Sequence, residues 1–212
     1  MYLPPGENVQ VGRLMGFLLV GECLATDIAQ QQVRLAPDAK SRRFLIQQAR
    51  QERLHAAVFH RAQRWLAPRV SQTPPTMAAV SRYESLAQAA LARGDFDESV
   101  VALQIVLEGL GEVVLRNVDA GLSRRGLGFS RLRRTLQQQE QTHHAFGAHL
   151  LQRRIGCGAT DPEDLRSRAE RYLELVDTML AQLADLFIAF DEDPAQYRAA
   201  FSQTLPTWLP AL

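Results

Sequence analysis

Residues 51–59 read Gln51-Glu52-Arg53-Leu54-His55-Ala56-Ala57-Val58-Phe59, and residues 139–147 read Gln139-Glu140-Gln141-Thr142-His143-His144-Ala145-Phe146-Gly147. Each stretch sets a glutamate three residues before a histidine, among helix formers whose apolar residues recur at three- and four-residue spacings. On a helix, positions i and i+3 share a face, so each pair offers one carboxylate and one imidazole to a common point. With twelve glutamates and five histidines in 212 residues, chance supplies a Glu-x-x-His only about 0.3 times, and only helical geometry makes the spacing meaningful. Two occurrences in matching helices call for a chemical reason.

Working outward, long helices are predicted over about Val9–Leu35, ending before Pro37, and from the N-cap Asp38 to Leu66. Two more run over about Asp97–Ala120, closed by Gly121, and about Ser130–Ile155, bounded by Gly126, Gly128 and Gly156. An alanine-rich helix spans about Met77–Arg93 and stops at Gly94, and Arg69–Pro75 reads as a connection. Asp161-Pro162 opens a helix over about Glu163–Phe190, and a short one follows Pro194. Alternating strand-like runs are missing, so the chain reads as all-α. The first two long helices faintly echo the third and fourth. Helix one carries Glu22 inside LLVGECLA, and helix three carries Glu108 inside ALQIVLEGLGEVVL. A lone carboxylate on a core-facing stripe is costly, so both glutamates need a partner.

The resulting order, Glu22, Glu52-x-x-His55, Glu108, Glu140-x-x-His143, one element per long helix, resembles the ligand set of the ferritin-like di-iron and di-manganese carboxylate bundles. That resemblance implies a ferritin-like four-helix bundle with additional short and C-terminal helices. Glu22, Glu52, His55, Glu108, Glu140 and His143 would be its metal ligands and catalytic centre. Four glutamates carry −4 and two divalent irons +4, so a site that repels itself when empty becomes neutral when metallated. Mixed oxygen and imidazole ligation suits iron or manganese, and it leaves coordination positions for dioxygen. The Glu spacing, the intervening alanine-rich helix, Gly21-Glu22 with Ala25 and Asp27, and Glu140-x-x-His143-x-x-Phe146-Gly147 are similar to the aldehyde-deformylating oxygenases. This likeness covers about Val11–Leu151. It implies a reduced di-iron centre that activates O2 beside a narrow apolar channel, an external electron donor such as a reductase or ferredoxin, and a small, largely apolar organic substrate. Two features depart from that family. Gln139 stands where it has an aspartate, which bears on how the histidine ligand is oriented, and Leu115 and Val118 replace tyrosines, which bears on the substrate.

The whole chain, 1–212, reads as a single domain, with the metal-binding bundle over about 9–155 and a helical extension over about 161–204. Twenty-four basic and 23 acidic residues give a net charge of +1, which argues against nucleic acid as a partner. The most apolar run, Leu14–Val20, is far shorter than the roughly 20 residues a membrane span needs. Met1–Gln10 holds Glu7 and no cation, unlike a secretory signal, so the expected location is the cytoplasm. Cys23 and Cys157 read as free thiols. Monomer and homodimer both fit the sequence. Small residues near the ligands, Ala25, Thr26, Gly111 and Gly147, leave room for a bound molecule or for close helix packing. Phe59, Leu18, Leu115 and Phe146 would form its apolar walls or plain core. Glu112, one turn beyond Glu108, is a candidate alternative ligand, whereas His60, His144 and His149 belong outside the metal site. Arg124, Arg125, Arg131, Arg133 and Arg134 form the densest basic cluster. Alternatives to a small-molecule oxygenase are a ferritin-like iron-storage or detoxification protein, and a ferritin-like hydroxylase or N-oxygenase acting on another substrate.

Overall fold

The computed structural model describes residues 7–67, 77–124 and 130–210. Helix α1 runs over Glu7–Leu35, α2 over Ala39–Leu66 and α3 over Met77–Ala92. A short α4, Phe96–Val100, passes into a π-helical segment, Val101–Leu107, and then into α5, Glu108–Arg124. Helix α6 spans Ser130–Gly156, followed by α7 at Pro162–Gln182, α8 at Ala184–Ala189 and α9 at Pro194–Thr204. The described residues contain no strand. Four long rods, α1, α2, the α4–π–α5 rod and α6, make the bundle.

Local chemistry explains most of the boundaries. Asp38 accepts from the Ser41 backbone N–H at 2.7 Å and starts α2. Asp161 and Asp193 cap α7 and α9 in the same way, each with proline in the first turn. Gly94 closes the turn after α3 at φ +73°, where a side chain would be strained. Three boundaries differ from expectation. Helix α5 continues through Gly121 to Arg124, so that glycine does not close it. The single helix expected over Glu163–Phe190 is broken at Leu183, where the tighter turn lets Leu186 and Phe187 reach the core and Asp185 meet Arg13 at 2.7 Å. The third rod contains the π segment. The Arg69–Pro75 connection, with Gly126 and Gly128, lies outside the described residues.

One apolar cluster joins the bundle to the C-terminal helices, from Leu14 and Ile28 on α1 through Val101–Leu103 to Tyr172, Phe187 and Phe201. Val101 to Val106 are all fully buried, so this stretch is apolar on every side except at Gln104. Gln104 and Glu108, four residues apart, share the interior face of this rod, and the π segment carries Gln104 into it without breaking the helix. The Tyr83 hydroxyl donates to the Ala102 carbonyl within this segment, satisfying a backbone group in a fully buried setting. None of the described helices is long and apolar enough to cross a membrane.

Candidate metal centre

All six sequence-derived residues converge. Glu22 comes from α1, Glu52 and His55 from α2, Glu108 from the first residue of α5, and Glu140 and His143 from α6. None is more than 7% exposed. They form two overlapping groups, Glu22/Glu52/His55/Glu140 and Glu52/Glu108/Glu140/His143, and within each group one ligand atom per residue lies within 4.8 Å of all the others. Glu52 and Glu140 belong to both. Glu52 sets one oxygen 3.1 Å from His55 Nδ1 and the other 2.9 Å from His143 Nδ1. It therefore stands between the groups as a bridging carboxylate would.

The orientation of the histidines tests whether this set fits metal. His55 Nε2 lies 2.7 Å from Gln139 Oε1, and His143 Nε2 lies 2.9 Å from Gln51 Oε1. With amide oxygens as acceptors, both Nε2 atoms donate and both Nδ1 atoms keep their lone pairs for the interior. His55 Nδ1 then faces oxygens of Glu140 at 3.0 Å, Glu52 at 3.1 Å and Glu22 at 3.4 Å. His143 Nδ1 faces Glu52 at 2.9 Å and Glu108 at 3.5 Å. These contacts lack hydrogen-bond alignment: both Nδ1 atoms, both Glu52 oxygens and Glu140 Oε1 are buried without a hydrogen-bond partner. Lone pairs aimed at one another across about 3 Å are repulsive unless a cation sits between them, so the donor set fits a pair of metal ions.

Electrostatics agree. Burial first, then the charge of Glu140, pushes the Glu22 carboxyl well above the usual range. Burial, then Glu52 and Glu140, does the same to Glu108. Burial also disfavours charge on Glu52, but contacts with His143 and His55 outweigh it and bring this carboxyl down to about 2. Burial likewise opposes charge on His55, yet Glu140, Glu22 and Glu52 prevail and raise it. Without metal, then, the shifts favour protons on Glu22, Glu108 and His55, which take over part of the charge balance that cations between these donors would supply.

A buried amide chain supports the centre from behind. Gln48 Nε2 donates to Glu108 Oε1 at 2.6 Å, and Gln104 Nε2 donates to Gln48 Oε1 at 2.9 Å. Gln104 and Gln32 exchange hydrogen bonds at 2.9 and 3.1 Å, and Gln32 reaches Ser99 Oγ at 3.2 Å. All five side chains are buried. Sequence reasoning missed this chain and the role of Gln51. The available signals were glutamine four residues before Glu52 and Glu108, and glutamine directly before each Glu-x-x-His.

A small cavity adjoins the carboxylates. Its volume is about 30 Å³, and its lining includes Phe17, Leu18, Gly21, Ala25, Leu107, Leu110 and Gly111 beside Glu22, Glu108 and Glu140. That is room for about one small molecule. Of the expected small residues, Ala25 and Gly111 line it. Gly147 does not: a Cβ there would lie 2.3 Å from Gln104 Cβ, so that glycine admits the amide chain. The Thr26 hydroxyl is turned to the Glu22 carbonyl at 2.8 Å. Leu18 is a cavity wall, whereas Phe59 and Leu115 belong to the core and Phe146 stacks on Phe44 at 3.8 Å. Glu112 lies outside both ligand groups, 3.9 Å from His144 Nδ1 and 3.8 Å from Arg116. His60 and His149 also lie outside them. Of the basic cluster, Arg131 and Arg134 are exposed and Arg133 pairs with Asp119. The side chains of Arg124 and Arg125 lie outside the described residues.

No family model matches the sequence, and no curated protein is significantly similar to it. Among solved structures the chain is similar to "Protein 19 with aldehyde deformylating oxidase activity" from Synechococcus, with a TM-score of 0.81 over 95% of this chain and 88% of that one. The fold is ferritin-like. Sequence identity across the match is 21%, so the likeness speaks for the ferritin-like bundle and its added helices, as the sequence led one to expect. The chemistry of this ferritin-like chain has to be argued from its own side chains.

Proposed function

We propose that the chain is a dioxygen-using oxidoreductase with a two-metal centre held by Glu22, Glu52, His55, Glu108, Glu140 and His143. The observation that carries this reading is the pair of imidazoles whose Nδ1 lone pairs face carboxylate oxygens with no hydrogen-bond partner. Two irons, or a manganese and an iron, would supply the redox chemistry with dioxygen that side chains cannot. The protein's own part is positional. Gln51 and Gln139 fix the ring tautomers, Gln48 holds one oxygen of Glu108, and Glu52 and Glu140 are shared between the two positions. Phe17, Leu18 and Leu110 keep the adjoining space apolar.

That space matches dioxygen in size, and partly exposed Gly21 marks the side on which a substrate would enter. The solved neighbour's aldehyde deformylating activity makes an aldehyde or another small, largely apolar organic molecule the substrate class to try first. Iron storage is a poorer reading, because the outer faces of the helices carrying His55 and His143 are cationic, the reverse of an iron uptake path. Anaerobic titration with ferrous iron followed by air distinguishes the two. An enzyme saturates near about two irons per chain. Continued uptake of many irons would overturn the proposal in favour of storage.

A further inference from the structure

The charged residues are divided between opposite parts of the molecule. Helix α2 carries seven of the 24 cations and α6 five, while the only acids on either helix are Glu52 and Glu140, both buried in the centre. Three α6 arginines are paired, Arg133 with Asp119, Arg153 with Asp38 and Arg154 with Asp97, so the cations of the two helices that lack an ion pair with a described residue lie mainly on α2. Arg43, Arg50, Arg53, Arg61 and Arg64 on α2 are exposed, and none is in an ion pair with a described residue. Between them stand two large exposed apolar side chains, Leu54 at 66% and Trp65 at 59%, with Leu132 of α6 at 41%. Residues 161–193, by contrast, hold ten acids against three cations. This segment packs on α3 and the π segment, away from α2.

We propose that the outer α2/α6 face is the docking surface for an acidic one-electron carrier protein of the ferredoxin type. This rests on the two-metal reading above. Three observations select that occupant. Unpaired arginines complement carboxylates, with a planar fork suited to bidentate pairing. Exposed Leu and Trp anchors rimmed by arginine match the make-up of protein interfaces, in which aromatic and arginine side chains carry the energy. Most directly, the face lies over the centre: Gln51 and Gln139 are partly exposed between the two helices, and each bonds the Nε2 of a histidine ligand. A carrier seated there is separated from each imidazole by a single amide side chain. A cationic zone confined to two helices, on a chain of net charge +1, suits a compact acidic partner better than a long polyanion or an extended anionic surface.

The test titrates a plant-type two-iron ferredoxin, fluorescently labelled, into the full chain, both metal-free and iron-loaded, and reads anisotropy. Binding is expected at about 20 mM salt and should weaken at least about tenfold by about 200 mM. Arg43→Glu/Arg50→Glu/Arg61→Glu should weaken it by about tenfold or more, while Arg82→Glu/Arg166→Glu/Arg171→Glu, on α3 and α7, should change it less than about threefold. Circular dichroism verifies that both variants keep their helix content. No binding at low salt, equal losses in the two variants, or tighter binding of a DNA duplex or phosphatidylglycerol vesicles through the same arginines would each overturn the proposal. Metal analysis of the same samples reads the centre separately. Ferredoxin binding without iron uptake would remove the centre and leave the face, and iron uptake without binding would remove the face and leave the centre.

Discussion

Glu108 illustrates how a site glutamate is placed at odds with stability. It is 2% exposed, holds one hydrogen bond from Gln48, and is pushed upward by burial and by the neighbouring Glu52 and Glu140. Glu22 behaves alike. For a carboxyl raised in the fold, the protonated form belongs to the folded state. Its stabilising effect is complete below the ordinary value of about 4.5 and is lost as pH rises toward the raised one. Metal has the opposite requirement, since ligands bind it deprotonated. The gap in melting temperature between manganese-loaded and metal-free protein should therefore widen as pH rises above about 4.5; a constant gap would contradict the ligand assignment. Glu108→Gln keeps the shape and removes the charge. It should abolish binding at one metal position or both, while the metal-free variant melts no lower than its parent at pH 8, as expected where repulsion between buried acids is relieved. Full metal occupancy in that variant would sink the assignment. The six candidate ligands were legible because spacing and residue type together are rare. Gln51 and Gln139 were harder to read, since an amide beside a glutamate has no distinctive pattern until its partner, a histidine on another helix, is seen.

At the scale of elements, caps and breakers wrote themselves into the sequence, and register did not. Asp38, Gly94, Asp161 and Asp193 act where their chemistry says they should. The π segment left no trace, because Val101 to Val106 are all buried and an all-round apolar run has no phase to shift. The break at Leu183 is set by tertiary contacts of Leu186, Phe187 and Asp185, which local propensity cannot report. Gln104 and Gly147 are two halves of one device: Gln104 points inward from the π segment, and the glycine of α6 vacates the volume that Gln104 occupies. Gly147→Ala should cost about 2 kcal/mol or more through overpacking, and it should loosen the Gln104–Gln48–Glu108 chain so that metal affinity falls with it. Thermal melts and metal titration check both. A variant with unchanged melting and affinity would show that the amide chain does not position Glu108.

At the scale of the whole molecule, the near-zero net charge conceals a strong separation of charge, with α2 and α6 basic and residues 161–193 acidic. Net charge could not show this, because summation along a chain does not say which helices face the same way. The chain should bind a cation-exchange resin at low salt even at pH 8, close to its sequence pI of about 7.9. Arg43→Glu/Arg50→Glu/Arg61→Glu should elute early, and elution of the parent in the void volume would refute the separation. The crossed bonds between Gln51 and His143 and between Gln139 and His55 reach further than geometry. Neither helical hairpin orients its own imidazole; each takes that instruction from the other. A nascent or half-melted chain therefore leaves both imidazole tautomers undefined, and only a finished bundle turns both Nδ1 atoms inward. If the centre holds metal as proposed, the fold is its own inspector, withholding the assembled donor set from any copy that has not finished folding.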